Sequence, residues 1–333
     1  MSLHIAASPF DLDQPQVYQR WRAAKLAAHP TRVEELIVDV ADPRALTATE
    51  RAAILALCAR TNMALYRSPV TLEDKELPRL LGAQLGLHRL DANWLADEDG
   101  ISSIAVHGEP PTSLRAGPPE GEHPAWGGPA PDGRGGSPRA DFIPYTSKPI
   151  KWHTDGYYHP QARRIEGMIL HCVREAGEGG VSGLVDHEMI YLALRDANPD
   201  WVRALMAPDT MTIPERADQS GVARPAQSGP VFYLRADGGL QMRYTARTRS
   251  IEWKDDPATR AAVAFLEKLL ASSPPWVFHL LMQPGMGVVA NNVPHDRTGF
   301  TDDPQRPRLL YRARYLDHVR DERVAAPQQE ATT

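Results

Sequence analysis

In Lys151-Trp152-His153-Thr154-Asp155-Gly156, an imidazole and a carboxylate stand two residues apart. On a strand, the His153 and Asp155 side chains would point to the same face, because successive side chains alternate. A neutral imidazole and a carboxylate converging from one face make half of a metal site. A third ligand is available far downstream at His295, in Asn292-Val293-Pro294-His295-Asp296-Arg297. Two histidines and one carboxylate, with coordination positions left open, are the ligand set of non-haem Fe(II) oxygenases. A His-x-Asp alone arises often by chance, and its plain alternative is a turn histidine beside an acid.

Little more than a dozen residues after His295 comes Arg308-Leu309-Leu310-Tyr311-Arg312-Ala313-Arg314-Tyr315. With a period of two, Arg308, Leu310, Arg312 and Arg314 share one face of a strand. Three arginines on one face are costly to bury without anions. Either this is an edge strand with a solvated basic face, or the face is a clamp for carboxylates, which guanidinium groups bind in bidentate fashion.

The elements that must position these groups are readable in outline. The chain has 333 residues, 42% hydrophobic and 24% charged, enough for one large core. A net charge of -5 gives no field that would draw it to nucleic acid. No 18-residue apolar run exists to span a membrane, and Met1-Ser2-Leu3-His4-Ile5 does not open a signal peptide. The expected location is therefore the cytoplasm, which suits two distant cysteines, Cys58 and Cys172, read as buried small residues. Oligomeric state is not legible, and a homo-oligomer is compatible with the sequence.

Helical patterns cover residues 11–30, 52–59 (opened by the capping box Thr47-Ala48-Thr49-Glu50), 72–85, 187–194 after Asp186, a segment from Pro199, and 256–271. Short strands are expected at 35–40, 63–66, 101–106, 165–173, 181–185, 231–235, 240–244, 276–282, 287–290 and 308–316. Ala236-Asp237-Gly238-Gly239 reads as a hairpin turn. The pattern predicts a mainly β protein with helical flanks, a double-sheet jelly-roll barrel rather than a parallel α/β sheet. One domain over 1–322 follows, with a helix-rich N-terminal region over 1–100, a core over 145–316 and a flexible tail over 323–333. The Pro/Gly-rich stretch 108–144 reads as a long loop, either a lid over the site or a surface insertion. No phosphate-binding glycine loop is present.

Taken in order, Trp152-His153-Thr154-Asp155, Gly179-Gly180-Val181-Ser182, Pro284-Gly285, Asn291-Asn292, His295 and Arg308 to Arg312 resemble the taurine dioxygenase family of Fe(II)/2-oxoglutarate-dependent oxygenases, over roughly residues 145–316. The resemblance implies a double-stranded β-helix fold and assigns His153, Asp155 and His295 to Fe(II). It implies that Arg312 pairs with the distal carboxylate of 2-oxoglutarate, with Arg308 on the same face as the competing choice. Ser182 takes the place of a family threonine and either donates to that carboxylate or closes a turn after Gly179-Gly180. The implied reaction consumes O₂, converts 2-oxoglutarate to succinate and CO₂, and hydroxylates a C–H bond. The intact carboxylate at Asp155 argues against halogenation and leaves desaturation and cyclisation open.

The substrate is expected to be a small polar, anionic metabolite: an amino acid derivative, carboxylate or sulfonate. Pro149 stands near where the taurine-specific enzymes have an asparagine, which argues against taurine itself. Arg243 and Arg247, in Met242-Arg243-Tyr244-Thr245-Ala246-Arg247, either recognise an anionic group or form a solvated face. Tyr157 and Tyr158 either line the pocket or pack under the lid. A zinc-dependent hydrolase and a non-catalytic jelly-roll binding protein are the alternatives; the hydrolase leaves the Arg308/Arg312 face unexplained, and the binding protein predicts that His153→Ala leaves ligand affinity intact.

Overall fold

Alternating side chains sort the central strands onto two cores. The computed structural model describes residues 8–91, 99–106, 143–218, 221–247 and 251–321. Its larger sheet has the strand order Ile37–Asp39, Met63–Arg67, Met286–Ala290, Gly167–Arg174, Leu309–Tyr315, Ser102–Ile104. Ala64, Tyr66, Ile169, Val173, Val289, Tyr311 and Ala313 face one way. They meet Ile54 and Cys58 of helix Ala48–Thr61 and Leu81 of helix Leu77–Ala83. Their neighbours Met63, Leu65, Met168, Cys172, Val288, Ala290 and Leu310 face the other way, onto Leu184 and Phe278 of a second sheet. Covered on both sides, such strands read as nearly continuous apolar runs. Each fully buried Leu or Ile contributes about 2 kcal/mol.

The second sheet has the order Val277–Leu280, Ser182–Val185, His295–Arg297, Ile150–His153, all antiparallel. The Pro284-Gly285 turn carries the chain from this sheet to Met286–Ala290 in the first. Gly285 has φ +85, and a Cβ there would sit 2.3 Å from the Ser68 carbonyl, so glycine is required. The result is a double-sheet jelly roll with helices, as expected. Among the described residues the two sheets do not join edge to edge into a closed barrel.

A third apolar cluster lies under helices Pro15–Ala28, His187–Ala197, Pro199–Leu205 and Pro257–Ala271, around Phe232, Leu240 and Met242 of the hairpin. The expected caps are present: the Thr47 hydroxyl accepts from Glu50 N, and Asp186 accepts from Glu188 N. The helix expected at 72–85 is only Leu77–Ala83, with Pro78 in its first turn. The strand expected at 35–40 is a 3-10 turn, Val33–Leu36, followed by Ile37–Asp39. The three-stranded sheet of Gln227–Gly229, Met211–Ile213 and Glu252–Trp253 was not foreseen, its alternation being broken by Pro214, Pro225 and Pro230.

The strand Leu309–Tyr315 is not an edge: it pairs with Gly167–Arg174 on one side and Ser102–Ile104 on the other. Its arginines are therefore buried rather than solvated. Of the stretch 108–144 only the end is described, where Ile143–Tyr145 form a 3-10 turn. The lid reading otherwise lies outside the described residues, as does the tail from 322. No described helix is long and apolar enough to cross a membrane.

Candidate metal centre

His153 ends the strand Ile150–His153, and His295 begins His295–Arg297; the two are register partners. Their rings lie 4.3 Å apart, centroid to centroid. Each ring turns Nδ1 to the carbonyl two residues back in its own chain: Lys151 O at 2.9 Å for His153 and Val293 O at 3.0 Å for His295. A carbonyl only accepts, so Nδ1 carries a proton, and in the neutral ring Nε2 keeps its lone pair. Backbone partners of this kind fix ring orientation in metal-binding histidines.

Asp155 is not on the strand. The strand stops at His153, and Asp155 occupies the turn that follows, where Gly156 has φ +65. The turn, not strand periodicity, brings the carboxylate beside the histidines. Asp155 Oδ1 lies 3.8 Å from His153 Nε2 and 3.3 Å from Arg312 Nη1. One donor atom from each of His153, Asp155 and His295 falls within 4.8 Å of the others.

The electrostatics match what a divalent cation needs. Burial, then His295, pulls the His153 imidazole down to about 3, so it is neutral. Burial alone would push the Asp155 carboxyl up, but Arg312 and Arg314 outweigh it and hold the group ionised, below the usual carboxylate range. Metal ligands must be deprotonated, and His153 and Asp155 are. Asp155 Oδ2 is buried without a hydrogen-bond partner among the described residues. Buried carboxylate oxygens are rarely left so, and a metal ion would satisfy this one.

Ser182, His153, His295, Arg308 and Arg312 line one cavity with apolar walls that include Leu170, Leu184, Val288 and Leu310. Arg308 and Arg312 differ sharply. Arg312 pairs with Asp155. Arg308, 6% exposed, forms no ion pair or side-chain hydrogen bond among the described residues; its guanidinium lies 5.0 Å from the centre of the Phe300 ring. Burial pulls its pKa below the ordinary value. Arg297 shares the Phe300 ring at 4.7 Å and donates to Thr146 O at 2.8 Å. Burial, then Arg308, brings Arg297 down to about 9. Two buried guanidiniums share one ring and form no ion pair among the described residues, an arrangement chemically suited to an anion. Arg297 was overlooked in the sequence, although it lies two residues after His295 on the same strand. Ser182 is register partner to Arg297 and belongs to a strand, not to the turn that Gly179-Gly180 suggested.

The residues expected at the substrate fare differently. Tyr157, Tyr158, Arg243 and Arg247 do not line this cavity. Arg243 is committed to the backbone: its guanidinium donates to the carbonyls of Tyr157, Met211, Gly229 and Gln227, which uses four of its five N–H groups and leaves no pair to grip a ligand carboxylate in bidentate fashion. The Tyr158 hydroxyl is held by Arg314 Nη1 at 3.2 Å, and Arg314 in turn pairs with Asp91 at 2.7 Å. Tyr157 and Arg247 stay close to the metal centre, because Thr245 bridges His153 and Ala246 N donates to Trp152 O. Burial raises the Tyr157 phenol, while Arg247 beside it and a hydrogen bond to Thr245 act in the opposite direction. Arg247 forms no ion pair or side-chain hydrogen bond among the described residues.

Residues 107–314 match the family model "Taurine catabolism dioxygenase TauD, TfdA family". The chain belongs to the TauD/TfdA family. Membership in a family named for a dioxygenase weighs against the zinc-hydrolase and binding-protein alternatives. A uridine-5'-phosphate dioxygenase from Streptomyces sp is 34% identical over 188 residues, 54% of this chain and 65% of the relative. Another from Amycolatopsis sp is 30% identical over 174 residues, 51% and 62% of the two chains. The chain thus spans just under two thirds of the length of these curated relatives. The asparagine oxygenase structure with Fe(II), 3-hydroxyasparagine and succinate superposes with TM-score 0.54 at 16% identity, covering 98% of this chain and 90% of that one. The non-haem iron oxygenase OrfP with Fe, succinate and hydroxy-L-Arg gives 0.55 at 17% identity, with 85% of each chain covered. At such identities the likeness is one of fold, a jelly roll.

Proposed function

We propose that this TauD/TfdA-family oxygenase hydroxylates an unactivated C–H bond of a small anionic metabolite, converting 2-oxoglutarate and O₂ to succinate and CO₂, with His153, Asp155 and His295 as its Fe(II) ligands. The observation that carries the reading is the convergence of two imidazoles and one carboxylate within 4.8 Å, the carboxylate having a buried oxygen without a hydrogen-bond partner among the described residues, on the cavity lined by Arg308. Iron bound there, with open positions for the 2-oxo acid and O₂, supplies the oxidising chemistry.

The chain's own groups bind and orient. Arg308 takes the distal carboxylate of 2-oxoglutarate, with Ser182 as hydroxyl donor and Arg297 as a second cation nearby. This assignment moves from Arg312 to Arg308, because Arg312 is engaged by Asp155 while Arg308 forms no ion pair among the described residues. Arg312 neutralises the carboxylate ligand and holds it in place. Leu170, Leu184, Val288 and Leu310 keep water from the co-substrate chain. Arg247, with Tyr157 and Thr245 beside it, takes the anionic group of the substrate. Carboxylate, sulfonate and phosphate all suit that chemistry, and the relatives named for uridine-5'-phosphate make a phosphate monoester the first to try.

The test is anaerobic addition of Fe(II) and 2-oxoglutarate, followed by visible absorption. A weak charge-transfer band that needs His153 supports the reading; no His153-dependent band sinks it. Succinate release is then compared across uridine-5'-phosphate, asparagine, arginine and small sulfonates.

A further inference from the structure

We propose that Asn292 is the positioning residue of the metal centre: its side-chain amide fixes where Asp155 stands relative to the two histidines and so sets metal affinity without touching the metal. The inference rests on the metal-ligand reading above. Asp155 has left the strand, so no sheet ladder holds it. Asn292 supplies what the ladder does not. Its Oδ1 accepts from Asp155 N at 2.8 Å, and its Nδ2 donates to Asp155 O at 2.9 Å. The amide therefore clasps the Asp155 backbone on both sides of its Cα. The same Nδ2 donates to Ile165 O at 2.7 Å, two residues before Gly167–Arg174 of the larger sheet.

Asn292 itself lies three residues before His295, so one buried amide joins the arm carrying the histidine, the turn carrying the carboxylate and the entry to the larger sheet. Its backbone is left-handed, φ 48, and its exposure is 2%. Asparagine is the side chain that tolerates this conformation and still offers an acceptor and two donors. The adjacent Asn291 is a natural control. It is equally buried, but it donates to Asn62 Oδ1 at 3.2 Å and accepts from Val319 N at 3.1 Å.

The test uses Co(II) titration of the metal-free full-length chain, read by visible absorption and calorimetry without turnover. Asn292→Gly keeps the left-handed backbone and removes only the amide. Loss of such an orienting partner is expected to weaken Co(II) binding by roughly 10–100-fold. Asn291→Ala is expected to lower Tm comparably and leave Co(II) affinity unchanged. Asn292→Ser repeats the measurement if the glycine variant folds poorly, with the same weakening expected. Unchanged Co(II) affinity in either folded Asn292 variant, or an equal loss in Asn291→Ala, overturns the proposal and leaves Asn292 a structural residue. His153→Ala separates the two levels: if it retains full Co(II) affinity, the metal-ligand reading fails as well.

Discussion

Arg312 reaches across the gap between the two sheets to Asp155, Nη1 to Oδ1 at 3.3 Å, while Arg308 on the same face forms no ion pair among the described residues. One strand face thus presents a cation already committed to a proposed metal ligand and a second that is proposed to take the co-substrate carboxylate. Arg308→Gln is expected to raise the 2-oxoglutarate concentration needed for half-maximal signal by roughly 10–100-fold, the value of a charge-assisted pair of about 1.5–3 kcal/mol. Arg312→Gln is expected to move it less. Anaerobic titration of the charge-transfer band measures both, and the opposite ranking returns the co-substrate to Arg312.

Ser182 makes a smaller and separable claim. It lies in the strand Ser182–Val185 and lines the cavity with Arg308. A neutral hydroxyl donor contributes about 0.5–1.5 kcal/mol, so Ser182→Ala should weaken 2-oxoglutarate by roughly 2–10-fold with Tm unchanged. A Tm loss without a change in co-substrate affinity would assign the hydroxyl to local structure.

Arg243 and Arg247 looked alike in the sequence and should behave as opposites. Arg243 stitches four carbonyls from three segments, so Arg243→Ala leaves buried acceptors unsatisfied and should lower Tm strongly. Arg247→Ala removes a partly exposed cation with no protein anion. It should leave Tm in place and raise KM for the anionic substrate, leaving 2-oxoglutarate binding intact. Succinate release at varied substrate concentration decides it; an unchanged KM removes Arg247 from the substrate site.

What could be read ahead of the structure was what depends on neighbours along the chain. The alternation of Arg308, Leu310, Arg312 and Arg314 is local, and so is the box at Thr47-Glu50; both appear as expected. The convergence of His153, Asp155 and His295 was readable as residue types, but its geometry was not. A turn at Gly156 rather than a strand delivers Asp155, and a left-handed Asn292 holds it. The division of labour among the arginines was hidden for the same reason. Period two places Arg308 and Arg312 on one face, yet only the position of Asp155, 157 residues away in sequence, distinguishes them. Carbonyl partners such as those of Arg243 leave no mark in side-chain identity, so a structural guanidinium and a binding one look the same in sequence.

Buried neutral histidines give the fold a defined acid limit. His171, fully buried against Tyr66 with Nδ1 2.9 Å from the phenol oxygen, is brought by burial from 6.5 to about 4. His187, whose Nε2 faces Leu240 O at 3.0 Å, is likewise lowered by burial to about 4. The unfolded chain protonates these rings near 6.5, whereas the folded protein resists until about 4. A depressed folded pKa means stability that is fully present above 6.5 and is lost as pH falls toward 4. Tm of the metal-free protein should therefore decline steadily from about pH 7 to about pH 5. In His171→Leu, Tm is lower throughout, because the Tyr66 hydroxyl loses its partner, but its decline over the same range is shallower. A variant curve parallel to that of the parent would show that His171 is protonated in the folded state as readily as in the unfolded one.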